Sequence, residues 1–458
     1  MAATERLALW LYSALMWAVQ PLLRRKLRRR ALAEPGYGVA VEERFGRYAP
    51  ALDSVLLPST GMGAAPLVWV HAVSLGETRA AAILVRALRR QIPGMRLLLT
   101  HGTATGRAEG AQLLQPGDVQ VWLPWDTPGA VQRFLRRLRP AIGILMETEI
   151  WPNLVAGCRR HGVPLVLANA RLNPASLRKA LRLPWLARPA YGGLTAAWAQ
   201  TEADAARLRA LGAPVRAVLG NLKFDARPDA DLLAQGRAWR AATPRPVVLL
   251  ASTRAGEEAL WLEEYQKNLA RTPAGQAPAA TDSGATGVRG VQWLIVPRHP
   301  QRFDEVARLL RDAGLSVSRR STWAQPVPDC DVWLGDTLGE MPLYYGLADV
   351  ALLGGSFAPL GGQNLIEAAA CGCPLLLGPH TFNFADAADK ACAAGAAWRV
   401  DGMAQGVQAA LALVRDPEQQ QAACAAAAAF ASAHRGAARA TAVAVHRLLA
   451  RPPARSQA

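Results

Sequence analysis

Short apolar runs recur along most of the chain, each ending in a glycine-containing or polar turn that opens a helix-like stretch. Leu67-Val-Trp-Val70 leads into His71-Ala-Val-Ser-Leu-Gly-Glu77 and an Ala/Leu/Arg helix reaching about Arg90. Met95 to Thr100 leads into His101-Gly-Thr103-Ala-Thr105-Gly106, and Ala141 to Met146 into Glu147-Thr-Glu149-Ile-Trp-Pro-Asn153. Val163 to Ala168 leads into Asn169-Ala-Arg171. Uninterrupted apolar strands alternating with helices predict a doubly wound parallel sheet, because only a sheet covered on both faces buries every strand residue. Ligands of such sheets collect at the carboxyl ends of the strands, where these turns lie.

A second alternating series starts after residues 226–246, a polar stretch punctuated by Pro228, Pro244 and Pro246 that reads as an interdomain connection. Val247 to Ala251 runs into Ser252-Thr-Arg-Ala-Gly-Glu257, and Gln292 to Val296 into Pro297-Arg-His-Pro300. Val350 to Leu353 then opens onto two glycine pairs, Gly354-Gly355 and Gly361-Gly362, with Ser356 and Pro359 between them. Asn364 is the expected cap of a helix over Leu365 to Ala370. Strand, glycine turn and helix N-terminus form an arrangement whose backbone N–H groups can hold a phosphate; Glu367, one turn in, could accept from two ribose hydroxyls. The same glycines also serve a plain tight turn. Residues 271–290 are low-complexity and are expected to be a disordered surface insertion, and the tail beyond about 450 is expected to fray. Two similar α/β halves joined by a connection predict a cleft between them.

The N-terminus departs from this pattern. Residues 7–23 carry no charge and are followed by Arg24-Arg-Lys-Leu-Arg-Arg-Arg30. Basic residues after rather than before the apolar run argue against a cleaved signal peptide. The cluster is expected on the cytoplasmic side, with the run as a short anchor or an interfacial helix at an anionic membrane surface. The net charge of +17 points the same way, towards anionic partners. No basic, aromatic-bearing nucleic-acid module accompanies it. The six cysteines show no metal or disulfide spacing, so free thiols in a reducing compartment and no metal site are expected.

Several polar residues at strand ends are candidates for chemistry. Glu77, at the head of a helix, could act as a general base. Ser74-Leu-Gly-Glu77 also matches a capping box, in which Glu77 would bond back to the Ser74 N–H, and the pattern alone favours the cap. Glu147 and Glu149 could bind sugar hydroxyls, one of them could hold Arg171, or both could be ordinary helix-start acids. Arg298 suits bidentate phosphate contact. Lys223, in Gly220-Asn-Leu-Lys-Phe-Asp225, could reach an anionic ligand or form a hinge salt bridge with Asp225 or a neighbour.

In order along the chain stand His71-Ala-Val-Ser-Leu-Gly-Glu77, Glu147-Thr-Glu-Ile-Trp-Pro-Asn-Leu154, Asn169-Ala-Arg171, Asn221-Leu-Lys-Phe-Asp225, Val296-Pro-Arg-His-Pro300, Gly335-Asp-Thr-Leu-Gly-Glu340 and Gly378-Pro-His-Thr-Phe-Asn-Phe384. With the 350–374 stretch they resemble the 3-deoxy-D-manno-octulosonic acid (Kdo) transferases of lipopolysaccharide assembly, from the N-terminus to about residue 390. The resemblance implies an inverting GT-B glycosyltransferase of two Rossmann-like domains that needs no metal or cofactor. It would move Kdo from CMP-Kdo to the lipid A precursor at the cytoplasmic face of the inner membrane, with an N-terminal membrane-anchor helix. It reassigns Glu77 from cap to catalytic base. Donor contacts would come from Lys223, Arg298, Gly339 in the 336–340 segment near the cytosine, Gly355, Ser356, Asn364 and Glu367. Thr103, Thr105, Glu147, Glu149 and Arg171 would face the acceptor. The implied organisation is an anchor and basic flank over 1–30, an acceptor domain over 31–225, the connection 226–246, a CMP-sugar domain over 247–430 containing the 271–290 insertion, and a C-terminal helix and tail over 431–458. Gln363, Arg254 and Arg107 depart from the family pattern and put donor affinity or acceptor preference in question. The competing readings are a membrane-surface GT-B enzyme using a UDP-sugar, and a non-catalytic membrane protein that binds a sugar nucleotide.

Overall fold

The computed structural model describes residues 2–50, 52, 65–271, 287–323 and 329–450. Most of the 271–290 stretch and the tail beyond 450 therefore lie outside the described residues. The chain forms two compact units, residues 1–225 with 436–458, and residues 226–435.

The first unit is built on seven parallel strands: β1 (Leu67–His71), β2 (Arg96–His101), β3 (Val119–Trp122), β4 (Ile142–Met146), β5 (Leu165–Ala170), β6 (Ala196–Ala199) and β7 (Val215–Val218). Their order is β3-β2-β1-β4-β5-β6-β7, with Val70 beside Leu99 on one side and Ile144 on the other. Helices cover both faces, so β1, β4 and β5 are buried at every position, which is why each reads as an apolar run up to its last one or two residues. On one face Trp69 meets Phe134 edge-on at 4.9 Å while its indole N–H donates to Thr100 Oγ1 at 2.8 Å. On the other, Leu84, Val85 and Leu88 of the helix Leu75–Gln91 share a core with Ala438, Ala442 and Val445 of the helix Ala437–Leu449. That last helix thus returns from the end of the chain to the first unit. Asp225 fastens it, accepting from the Gly436 and Ala438 N–H groups at 2.6 and 2.7 Å. Asp225 thus serves as the cap of this helix.

The apolar run 7–23 is not one helix. It is divided at Val19 between helices Ala3–Ala18 and Gln20–Ala33, with Pro21 in the first turn of the second, where its missing N–H costs nothing. Sixteen residues at 1.5 Å each span ~24 Å, short of the ~30 Å hydrocarbon core. Among the described residues no helix is long and apolar enough to cross a membrane.

The second unit repeats the scheme with β8 (Val247–Thr253), β9 (Gln292–Pro297), β10 (Val317–Arg319), β11 (Val332–Leu334), β12 (Val350–Leu353), β13 (Leu375–Leu377) and β14 (Ala397–Arg399). All are parallel, in the order β10-β11-β9-β8-β12-β13-β14. The 226–246 stretch, expected to be a connection, carries the helix Ala230–Ala242 of this unit. Asp229 caps it through the Asp231 and Leu232 N–H groups, and the prolines flank rather than interrupt it. The helix crosses Met341–Leu347 closely enough that a Cβ on Gly236 would stand 2.1 Å from the Leu343 carbonyl oxygen. Tertiary packing of this kind is not visible in hydrophobic periodicity.

Strand order reverses between β1 and β4 in the first sheet and between β8 and β12 in the second. Crevices open at such switch points, and the candidate residues cluster at both.

Candidate active site

At the first switch point Glu77 occupies the third position of the helix Leu75–Gln91. Its backbone N–H donates to Ser74 Oγ at 3.4 Å, and the Ser74 hydroxyl donates to Glu77 Oε1 at 3.0 Å. Oε2 accepts from the Val73 N–H at 3.0 Å, where the sequence pattern pointed to the N–H of Ser74. The cap is therefore real, yet it does not exhaust the carboxylate: each oxygen accepts one bond and keeps a second lone pair. Partial burial raises the pKa of Glu77, the Val73 N–H and Ser74 hydroxyl oppose this, and the negative charges of Glu147 and Glu149 add to the rise. Capping and base strength are thus compatible, because desolvation and like charges counter the helix N-terminus.

Glu147 and Glu149 follow β4. Glu147 is buried, adopts φ +57, and pairs with Arg171 Nε at 3.0 Å. A left-handed glutamate is held only by its surroundings. Here the Glu147 N–H donates to the Ala168 carbonyl, and the Glu147 carbonyl accepts from the Arg171 N–H. Glu149 accepts from the Trp151 indole at 3.0 Å, and burial raises its pKa. Three carboxylates therefore gather at this switch point, with one of them ion-paired.

Thr103 caps the helix Ala104–Ala111 and donates to the Val73 carbonyl at 2.8 Å, which ties the turn after β2 to the turn bearing Glu77. Thr105 is exposed, 3.5 Å from the Thr103 hydroxyl. Arg107 is structural: it pairs with Glu43 at 2.9 Å and lies over the Trp122 ring. Asn169 joins its Oδ1 to the Leu222 N–H at 3.0 Å, setting the turn Leu222–Asp225 that bears Lys223. Lys223 belongs to the first unit, whereas the other donor candidates belong to the second.

The second switch point holds a residue to which the sequence assigned no role. Glu257, which opens the helix that follows β8, is fully buried and accepts four backbone N–H bonds. Oε2 takes those of Gly355 and Arg254 at 2.7 and 2.9 Å, and Oε1 those of Phe357 and Ala358 at 3.1 and 3.2 Å. Among the described residues no cation pairs with it; the N-terminus of its own helix, Glu257–Arg271, supplies the compensating field. The amides of Gly355, Phe357 and Ala358, expected to cradle phosphate, are therefore committed within the protein. Gly355 adopts φ +71, and a Cβ on Gly354 would stand 2.5 Å from the Ser252 carbonyl oxygen. The signal for Glu257 was legible in Ser252-Thr-Arg-Ala-Gly-Glu257, whose Arg254–Glu257 spacing places a glutamate to accept from an amide three residues earlier.

Ser356 needs a similar correction. It is fully buried, its hydroxyl bonded to the Leu353 carbonyl and accepting from the Gly378 N–H at 2.9 Å, so the side chain braces β12 against β13. Asn364 precedes the helix Leu365–Ala370 without a side-chain capping bond, and its buried Oδ1 has no partner. Glu367 lies in the first turn of that helix, its charge adding to the burial that pushes the Cys371 thiol up to about 12. Gly339, at φ +84, ends the turn before Glu340, which pairs with Arg320 at 2.8 Å. Arg298 is exposed, its N–H anchored on the Thr253 carbonyl at 2.9 Å. Burial lowers the His299 pKa, and the positive charges of Arg254, Arg298 and Arg302 add to the effect. Arg302 is neutralised by Glu258 at 2.8 and 2.9 Å. Arg254 and Arg298 form no ion pair among the described residues, which leaves a positive field beside the glycine turn.

A sequence model of the family described as "3-Deoxy-D-manno-octulosonic-acid transferase (kdotransferase)" matches residues 40–226. The 3-deoxy-D-manno-octulosonic acid transferase of Bordetella pertussis is 48% identical over 94% of this chain and 97% of its own. That of Haemophilus influenzae is 32% identical over 81% and 82%. Among solved structures, a glycosyltransferase from Rickettsia africae (TM-score 0.54, 10% identity) covers 84% of this chain and 98% of its own. Anabaena Alr3699/HepE in complex with UDP (TM-score 0.54, 12% identity) covers 84% and 100%. At such identity these two show the shared α/β glycosyltransferase fold alone. Identity sustained across almost the full length of the Bordetella enzyme decides the assignment: the chain belongs to the Kdo transferase family of glycosyltransferases.

Proposed function

We propose that this enzyme transfers Kdo from CMP-Kdo to the lipid A precursor at the cytoplasmic surface of the inner membrane, with Glu77 as the base. The observation that carries the reading is the Glu77 carboxylate, half-buried, raised in pKa and flanked by Glu147 and Glu149. A base at neutral pH is more effective when its pKa approaches the working pH. One oxygen of Glu77 takes the proton of an acceptor hydroxyl. The hydroxyl oxygen forms the new bond to the anomeric carbon from the face opposite the donor phosphate, and the bond to that phosphate breaks, releasing CMP. Glu147, Glu149 and Arg171 orient acceptor hydroxyls, with Thr103 and Thr105 beside them.

On the donor side Arg254 and Arg298 meet the phosphate, where charge accumulates as the bond breaks. The N-terminal turn at Asn364 adds to this field, and Glu367 holds the ribose. Gly339 lines the base. The turn at Gly355 and Ser356 acts through its shape, because most of its amides serve Glu257. At the N-terminus, exposed Leu7, Trp10, Leu11, Leu15 and Trp17 followed by the basic helix suit a helix lying in the membrane interface.

The test is Kdo transfer from freshly generated CMP-Kdo to the tetraacyl lipid A precursor. Wild type is expected to transfer, while Glu77→Ala and Glu77→Gln lose nearly all turnover and still bind CMP. Variants that keep most activity would return Glu77 to a capping role. Thermal protection by UDP but not CMP would instead favour a UDP-sugar donor.

A further inference from the structure

In the first unit, the helices Ala3–Ala18, Pro152–Arg160 and Pro184–Gly192 enclose an open cavity of about 620 Å³. Its walls are mainly apolar, with Leu9, Trp10, Val155, Leu186 and Pro189 among them. The N-terminal helix is fastened at a polar point beside it, the Ser13 hydroxyl donating to Asn153 Oδ1 at 2.8 Å. Asn153 is itself fixed by Asp126, so the groove is braced open by polar contacts below it. Outside, Trp10 and Trp185 remain more than half exposed. Apolar surface left uncovered by such bracing marks a binding site.

Charge and position indicate the occupant. Arg6, Arg159 and Arg160 line the groove and are exposed, and none forms an ion pair among the described residues. Glu5 is the acid beside them, and its carboxylate accepts from the Ala2 N–H. An apolar channel with a cationic excess fits an amphiphile bearing negative charge. One end of the groove, at Pro152 and Asn153, is close in the chain to Glu149. The helix Pro152–Arg160 begins three residues after Glu149, and Trp151 between them bonds to Glu149. The helix Pro184–Gly192 carries Tyr191, which is close enough for the Glu149 charge to act on its phenol. A sugar held at Glu77 and Glu149 would therefore have its hydrocarbon directed along these two helices.

We propose that this groove holds an acyl chain of the lipid acceptor, with Arg6, Arg159 and Arg160 meeting the acceptor's anionic groups; the proposal rests on the acceptor being an acylated, phosphorylated disaccharide.

Two measurements test it. The first is photolabelling of the full-length enzyme in the absence of donor, using tetraacyl precursor with a diazirine near an acyl terminus. Label on the 152–160 and 184–192 helices, reduced by Ala156→Trp, is the expected result. Label elsewhere overturns the proposal. Equal labelling of the groove by a diazirine phosphatidylglycerol in vesicles also overturns it, in favour of plain membrane docking. Labelling needs no turnover, so its outcome is independent of whether Glu77 acts as the base. The second is transfer to the acylated precursor and to its fully deacylated form by Arg159→Glu/Arg160→Glu, whose exposed positions spare the fold. The acylated acceptor should lose about tenfold or more in kcat/KM. CMP-Kdo KM should be unchanged, and the ratio of acylated to deacylated rates should fall in both this variant and Ala156→Trp. An unchanged ratio in both variants would refute an acyl-chain site.

Discussion

Glu257→Gln is the most informative single change in the second unit. The substitution preserves size, so its effect comes from hydrogen bonding. The carboxylate accepts two amides on each oxygen, those of Gly355 and Arg254 on one and those of Phe357 and Ala358 on the other. A glutamine keeps one carbonyl oxygen and turns an NH₂ towards the other pair, so two buried N–H groups lose their acceptor. At about 1.5–3 kcal/mol for each bond to a charged group, the loss is about 3–6 kcal/mol. Against the 5–15 kcal/mol typical of a whole domain, that is a large fraction. For a unit of this size, 226–435, it corresponds to a fall in Tm of roughly 6–24 °C in the transition that includes this unit. Scanning calorimetry measures it, and the emission of buried Trp261 and Trp293 reports on the same core. Hydrogen exchange should quicken at the Gly355, Phe357 and Ala358 amides before it does along β12. Donor KM should rise, because the turn loses its shape while Glu77 is untouched. A variant that unfolds within a degree of wild type, with these amides still protected, would refute the account of Glu257 as the brace of the glycine turn.

Other outcomes follow from the same structure. Glu149→Gln removes a negative charge that raises the Glu77 pKa, so the acid limb of the kcat/KM–pH profile should move to lower pH; movement to higher pH would contradict the carboxylate cluster. Asp225→Ala deprives the C-terminal helix of two capping bonds and should cost about 0.5–2 kcal/mol in urea unfolding, with donor KM unchanged. Burial pushes His101 down to about 4 and His71 down to about 3, both below the 6.5 of an unfolded histidine. Between those values the unfolded chain binds more protons, so the contribution of these histidines is complete above pH 6.5 and lost as pH falls towards 4 and 3. The urea midpoint of His101→Gln should therefore depend less on pH across that window than the midpoint of wild type.

The apolar runs ending in polar turns were sufficient for two parallel α/β sheets, because a strand covered on both faces must be apolar throughout and its exit turn must be polar. The ordered motifs were sufficient for the family, and the Ser74–Glu77 spacing for a cap that the structure contains. Sequence could not decide which lone pairs and amides remain free, since that depends on contacts between segments far apart in the chain. Glu257 and Gly355 lie about a hundred residues apart, yet the carboxylate occupies amides that the glycine pattern alone left open for phosphate. The same holds for Ser356, whose hydroxyl is spent between Leu353 and Gly378, and for Asp225, which caps a helix more than two hundred residues later. The Ala230–Ala242 helix was hidden for another reason. Its flanking prolines signal a connection, and its small residues gain their meaning only against the helix they cross. Local pattern determined the elements and the chemistry available at their ends; tertiary packing decided which of those groups stay free for a ligand, because each buried donor or acceptor must be matched within the fold first.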